Sequence, residues 1–305
     1  MEIKKRNYLK TILITGGTGL IGTNLLKKLK LNKKYKIYII TREKKIESKK
    51  IQSRNIEYIN QDLTSGIKTK LKNLKVDIVV HLAGRTFSNK VSIKEYHSKN
   101  IVTTINILKS INNKIEKFIF LSSQYVYGNV NSKNIKENTI LDSGFSHYGK
   151  SKIECEKIIK KFTKKIKNII ILRSCGLIEG GGIIEYLKIQ IKNNKKILLY
   201  GNGEIIRDYI SINDLVELIK KIIKKNFNKK IIIANIGSKK IINTKQIALL
   251  ISKNLNKNLF LVPSKDNKAL PNTKLNIEFA KKNFGYNPKS FNHSLRIYLK
   301  KKIKC

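Results

Sequence analysis

The sequence predicts an α/β chain, with a doubly wound parallel sheet followed by a smaller C-terminal α/β lobe. Three observations predict it. Short apolar runs rich in Ile, Val and aromatics alternate with longer stretches of helical period, the rhythm of parallel strands joined by right-handed crossovers. The runs are apolar almost throughout, as strands covered on both faces require. A glycine triplet, Gly16, Gly19 and Gly22, closes the first run and opens the first helical stretch.

In chain order, TILIT (11–15), KIYIIT (36–41), IEYIN (56–60), VDIVVHLA (76–83), KFIFLSS (117–123) and NIIILRS (168–174) read as strands. Helical stretches fall between them at about 19–31, 92–112 and 147–166. Beyond residue 175 the rhythm loosens. Gly180–Gly182 make a turn, strands fall near 197–200, 206–210 and 231–235, and helices near 213–225, 243–254, 274–283 and 291–303. The reading divides the chain into 1–174 and 175–305, with segments of the second part returning to the first. Neither an internal repeat nor a linker is visible.

A chain of 305 residues can bury a large core. Its net charge of +45 raises nucleic acid or an anionic membrane as a partner, yet the lysines are spread over every helical stretch and form no stripe interleaved with aromatics. Lys, Ile and Asn are inflated, Trp is absent and Pro occurs three times, the profile of an AT-rich coding bias. Neither a specific nucleic-acid site nor membrane insertion is expected. The apolar run around Ile12–Ile14 is too short for a signal core or a span. Cys155, Cys175 and Cys305 are odd in number and scattered, so neither a zinc site nor a disulfide framework is expected, and a reducing cytoplasm fits.

The glycine triplet has chemical content because of where it lies. Gly16 permits a tight turn, Gly19 lets a pyrophosphate approach the backbone, and Gly22 lets helix and strand pack closely. The helix start at Gly19, Leu20, Ile21 and Gly22 presents backbone N–H groups and the positive dipole end to an anion. A dinucleotide is therefore expected here. At the end of the second strand, where an acid usually receives the adenosine ribose, the chain reads Thr41–Arg42. A guanidinium pairs with a 2′-phosphate, so NADP is favoured over NAD, although Glu43 could reach a ribose.

The segments TGGTGLIG, HLAG (81–84), SSQYVYG (122–128), YGKSK (148–152) and GNGEIIRDYI (201–210), in that order, resemble the extended short-chain dehydrogenase/reductases. More closely, the chain resembles the NAD-dependent epimerase/dehydratase family acting on nucleotide sugars, from about residue 10 to about 290. The resemblance implies a Rossmann NAD(P)-binding domain over 1–174, a substrate-binding lobe over most of 175–305, a nucleotide-diphosphate sugar as substrate and a homodimer through the helices near 92–112 and 147–166.

Tyr148 and Lys152 lie one helical turn apart on one face. A nearby ammonium favours the phenolate, so the tyrosine pKa is expected to be lowered towards working pH. The resemblance assigns Tyr148 the proton transfer, Ser123 the hydrogen bond to the substrate oxygen, and Lys152 the nicotinamide ribose. It places Asp62 and Leu63 beside the adenine, lines the cofactor with Leu82, Ala83 and Gly84, and gives Arg207 the substrate diphosphate. Asn100 matches an asparagine that braces the site. His81 reads as a core histidine, and His147 could tune access. Gly176 stands where many relatives carry asparagine. Tyr298 and Lys302 repeat the spacing in a terminal basic helix without an accompanying motif, a coincidence.

Relatives that dehydrate a hexose carry an Asp–Glu pair after the serine. Here Gln124 and Tyr125 stand there, and neither supplies a carboxylate. Two chemistries remain open, a 4-epimerase and a 4-ketoreductase, both using Ser123, Tyr148 and Lys152. The reading from another class is a non-catalytic nucleotide- or RNA-binding relative of the same fold.

Overall fold

A computed structural model describes residues 10–42, 51–67, 69–142, 144–264 and 271–300, without the side chains of residues 69 and 70. Glu43, Lys302 and Cys305 therefore lie outside the described residues. The strands are β1 (Lys10–Thr15), β2 (Tyr35–Thr41), β3 (Ile56–Asn60), β4 (Ile78–His81), β5 (Ile115–Ser123), β6 (Ser132–Ile135), β7 (Ile166–Ser174), β8 (Gly176–Leu177), β9 (Ile197–Leu199), β10 (Ile206–Arg207), β11 (Tyr209–Ile210), β12 (Ile231–Ile236), β13 (Ile242–Asn243), β14 (Leu261–Pro263) and β15 (Thr273–Leu275). The helices are α1 (Leu20–Leu29), α2 (Thr69–Lys72), α3 (Ile93–Tyr96), α4 (Thr103–Ser110), α5 (His147–Lys160), α6 (Gly182–Lys192), α7 (Ile212–Lys224), α8 (Thr244–Leu255), α9 (Glu278–Phe284) and α10 (Phe291–Lys300).

Seven strands form the main sheet in the order β12-β7-β5-β4-β1-β2-β3, every neighbouring pair parallel. This is the expected Rossmann sheet, and β12 joins it from beyond residue 175. Successive side chains of one strand feed opposite cores. Ile12 and Ile14 of β1 pack with Leu25, Leu26 and Leu29 of α1 on one face, where α7 adds Leu215, Ile219 and Ile222. Leu13 points to the other face, into a core with Phe118 and Phe120 of β5, Ile107 and Leu108 of α4, and Cys155 and Ile159 of α5. A third cluster, built on Ile184, Leu187 and Ile191 of α6 and Ile247 and Ile251 of α8, makes the smaller C-terminal α/β region.

Three departures from the sequence reading have physical causes. The expected helix over 92–112 is broken by a π turn at His97–Val102, flanked by α3 and α4. Helix α6 was not anticipated, because its Ile-rich segment follows three glycines and carries no side-chain cap at its start. The pair β6–β15 joins residues more than 130 positions apart, a pairing no local pattern encodes.

The strand order reverses direction at β1, whose neighbours are β2 and β4. In open parallel sheets ligands bind at that crevice, beyond the carboxyl ends of the strands. The glycine turn, Arg42, Asp62, Leu82 and Ser123 stand at those ends, whereas Tyr148 and Lys152 come from α5 and Arg207 from β10, outside the main sheet.

Candidate active site

The glycine turn occupies the crevice. Gly16 adopts φ +69°, and a Cβ there would lie 2.8 Å from the Leu82 carbonyl carbon and the Ala83 nitrogen. The turn thus presses directly on the exit of β4. At Gly22 a Cβ would fall 2.3 Å from the Gly16 oxygen, so helix and turn touch backbone to backbone. Gly17, which the sequence reading passed over, is equally constrained: its Cβ would meet Ile39 Cγ2 at 2.5 Å. Gly19 caps α1 without a side-chain bond, so no side chain competes with an anion for the N–H groups of the first turn. Ile21 packs against the core, and Leu20 is half exposed. This cradle fits a dinucleotide pyrophosphate.

Around the cradle, Ala83 N–H donates to Thr15 Oγ1 (3.1 Å), and Leu82 N–H donates to the Thr15 carbonyl. Thr41 is buried at the end of β2, and Arg42 next to it is exposed. Asp62 is partly buried. That burial works to raise its pKa, but Thr64, whose N–H and hydroxyl both donate to Oδ1 at 2.8 Å, with Lys99 and Arg42, brings the net shift below the usual value. Leu63 turns its side chain into the core between Ile40 and Leu71, leaving its backbone carbonyl to Asn106.

Ser123 ends β5 and caps a 3₁₀ turn, Gln124–Tyr127, accepting from Tyr125 N–H at 3.3 Å. Tyr148 and Lys152 share the inner face of α5, which Ser146 starts by accepting from Gly149 N–H. All three functional side chains are buried. The Ser123 hydroxyl faces the Tyr148 phenol closely enough to favour its ionised form. Lys152 Nζ donates to the Leu121 carbonyl (3.0 Å) and lies 4.8 Å from the Phe120 ring centre and 5.9 Å from that of Tyr148. Gly84 flanks the same ammonium, since a Cβ there would approach Nζ to 3.8 Å and Asn100 Oδ1 to 2.8 Å.

One expectation is corrected. Burial pushes the Tyr148 phenol well above the usual tyrosine range, and the nearby Ser123 hydroxyl offsets only part of it. The ammonium does not hold the phenol down here, because desolvation of a buried phenolate outweighs a cation whose own charge is destabilised by burial. Burial therefore favours the neutral form of the Tyr148 phenol.

The supporting residues divide clearly. Asn100, in the π turn, accepts from Arg85 N–H (2.7 Å) and donates to Ser151 Oγ (2.8 Å), bracing the β4 exit against α5. His81 is sandwiched between Thr15 and Thr104 hydroxyls and stacked on Phe120. Burial, with Lys152 nearby, holds its pKa down at about 3, so it is a neutral core histidine. His147 is exposed. Gly176 leaves room for the Tyr209 ring, which a Cβ would meet at 2.6 Å. Tyr298 is bonded to Glu185 and Lys188, a structural tie between α10 and α6. Cys155 and Cys175 are buried and free.

Several contacts escaped the sequence reading. Glu156, one turn beyond Lys152, receives Arg173 through both oxygens (3.1 and 2.7 Å) and Ser122 Oγ at 2.6 Å. Its i+4 spacing from Lys152 was the available signal. Tyr125 stacks on Phe87 at 4.5 Å between centroids, meets Tyr148 edge-on at 5.6 Å and Phe145 at 6.1 Å. Phe87 and Phe145 remain 41% and 37% exposed, an apolar wall beside the phenol. Arg207 is half-buried on β10, with Nη1 donating to the Pro271 carbonyl at 2.7 Å, and its charge reaches Tyr125. Among the described residues there is no metal-binding cluster, and no helix is long and apolar enough to cross a membrane.

Comparison with known proteins follows the same outline. The model of the NAD dependent epimerase/dehydratase family matches residues 12–237. A GDP-6-deoxy-D-talose 4-dehydrogenase of Aggregatibacter actinomycetemcomitans is 29% identical over 224 residues, 70% of this chain and 70% of its own. A dTDP-D-glucose 4,6-dehydratase of Dictyostelium discoideum is 31% identical over 281 residues, covering 80% of this chain and 64% of that protein. Among solved structures, UDP-glucuronic acid 4-epimerase from Bacillus cereus, in complex with UDP-glucuronic acid and NAD, superposes with a TM-score of 0.79 at 25% identity over 95% of this chain and 99% of that one.

Proposed function

The chain belongs to the NAD dependent epimerase/dehydratase family, and from that premise we propose that it transfers a hydride at C4 of a UDP-hexose, as a 4-epimerase. The observation that carries this reading is the buried group of Ser123, Tyr148 and Lys152 at the carboxyl edge of the sheet, one strand from the glycine cradle. The near full-length likeness to a UDP-glucuronic acid 4-epimerase supports the reaction and the nucleotide.

Gly16, Gly19, Leu20, Ile21 and Gly22 would hold the dinucleotide, which would supply and accept the hydride when bound. The chain's own residues manage the proton and the orientation. Ser123 and Tyr148 bracket one substrate oxygen, and Tyr148 is its proton partner. Because its phenol is held protonated, Tyr148 is ready to donate to a C4 ketone. Removing a proton from a C4 alcohol requires extra positive charge at the site, from Lys152 and a cationic ring beside it. Lys152 also meets the ribose hydroxyls. Asp62, Leu82, Ala83 and Gly84 would line the remainder of the cofactor, with Leu63 supporting Asp62 from the core, and Arg207 would take the substrate diphosphate, where a planar fork outperforms a lysine point charge. Gln124 and Tyr125 supply no carboxylate for dehydration.

A second reading, a 4-ketoreductase using NADPH, is supported by exposed Arg42 and by the relative that is a 4-dehydrogenase. We further propose a homodimer through the α3–α4 and α5 faces, and a reducing cytoplasmic setting consistent with two free buried thiols. The test is to purify the protein, identify any retained dinucleotide, and assay UDP-glucose and UDP-galactose interconversion with wild type and Tyr148→Phe. The epimerase reading expects NAD-dependent interconversion that falls about 100-fold or more in the variant. Interconversion at wild-type rate in Tyr148→Phe overturns the assignment. Turnover of NADPH only with a keto sugar selects the reductase.

A further inference from the structure

Gln124 directly follows Ser123 in a turn that Ser123 itself caps. Among the described residues, its Oε1 is the only buried side-chain nitrogen or oxygen without a hydrogen-bond partner. A buried acceptor without a donor costs free energy, so folds keep such an atom where a ligand completes it. Its surroundings identify that ligand. On one side, buried Ser123 faces the Tyr148 phenol; on the other, Tyr125 packs edge-on against the Tyr148 ring at 5.6 Å between centroids. The turn is also pressed onto the first turn of α5, since a Cβ at Gly149 would lie 2.4 Å from the Tyr125 carbonyl oxygen. The orphan acceptor therefore belongs to a residue flanked on both sides by groups touching the proposed proton donor.

We propose that Gln124 is a specificity-determining residue: its Oε1 accepts a hydrogen bond from a sugar hydroxyl carried next to the reacting carbon. This inference rests on the nucleotide-sugar reading above. An amide oxygen accepts without ionising, so Gln124 selects without moving a proton. The apolar wall of Phe87, Tyr125 and Phe145 covers the neighbouring surface with rings. A sugar that lacks the matching hydroxyl leaves the amide unpaired and binds more weakly by about the net worth of one hydrogen bond, ~1 kcal/mol or about five- to tenfold.

The test uses the NAD-loaded full chain with UDP-glucose, UDP-3-deoxyglucose, UDP-6-deoxyglucose and UDP, binding each to wild type and Gln124→Met by calorimetry. The expected result is a roughly tenfold loss for UDP-glucose in the variant, an unchanged affinity for UDP, and one deoxy analogue that binds both proteins equally. Equal UDP-glucose affinity in both proteins overturns the inference while leaving the nucleotide-sugar reading intact. A parallel loss for UDP, UDP-glucose and both analogues also overturns it, since it reports a deformed turn. Wild type that binds none of the UDP-sugars removes the underlying reading, and this inference with it.

Discussion

Replacing Glu156 by Gln keeps the shape of the side chain and removes its charge. The carboxylate is 1% exposed and Arg173 is 2% exposed, and the two meet in a bidentate pair 2.7 and 3.1 Å long. Arg173 is anchored further by Tyr127 OH and the Glu137 carbonyl, both 3.0 Å from Nη1. In the variant the guanidinium stays buried beside a neutral amide. Breaking a buried pair from one side costs about 3–5 kcal/mol, mostly for the charge left behind. For a chain of 305 residues that is a fall in melting temperature of roughly 5–8 °C. The perturbation also reaches the chemistry, because Ser122 donates to Glu156 and precedes Ser123, while Glu156 follows Lys152 on α5. Urea unfolding of wild type, Glu156→Gln, Arg173→Met and the double variant measures the effect. The double variant should recover part of the loss, since paired removal leaves no orphan charge. A single-variant loss below about 1 kcal/mol, or strict additivity in the cycle, would refute the reasoning.

Two further outcomes follow from the same structure. His81 has a folded pKa of about 3 against 6.5 for an unperturbed histidine, so the unfolded chain binds its proton first as pH falls. Its contribution is complete above pH 6.5 and is lost towards pH 3, at about 2 kcal/mol between pH 6.5 and 5; urea midpoints over that window should slope more steeply in wild type than in His81→Gln. Arg42→Ala should weaken NADP binding about tenfold and leave NAD unchanged, as read by fluorescence titration, and equal losses for both dinucleotides would remove the 2′-phosphate assignment.

Much of this protein is written in short-range patterns. The alternation of apolar runs with helical stretches determined the parallel sheet, because strands covered on both faces are apolar through most of their length. The G-x-x-G-x-x-G spacing located the cradle, since only glycine tolerates a Cβ position 2.3 Å from another backbone atom. The i,i+4 spacing put Tyr148 and Lys152 on one helix face. Burial and long-range partners are not local properties, and there the tertiary structure decided. It raised the Tyr148 pKa where the sequence predicted a fall, because desolvation depends on everything packed around the phenol. It also joined Glu156 to Arg173 and gathered Phe87, Tyr125 and Phe145 into one wall, from segments 17 to 58 positions apart whose side chains meet only once the sheet has closed.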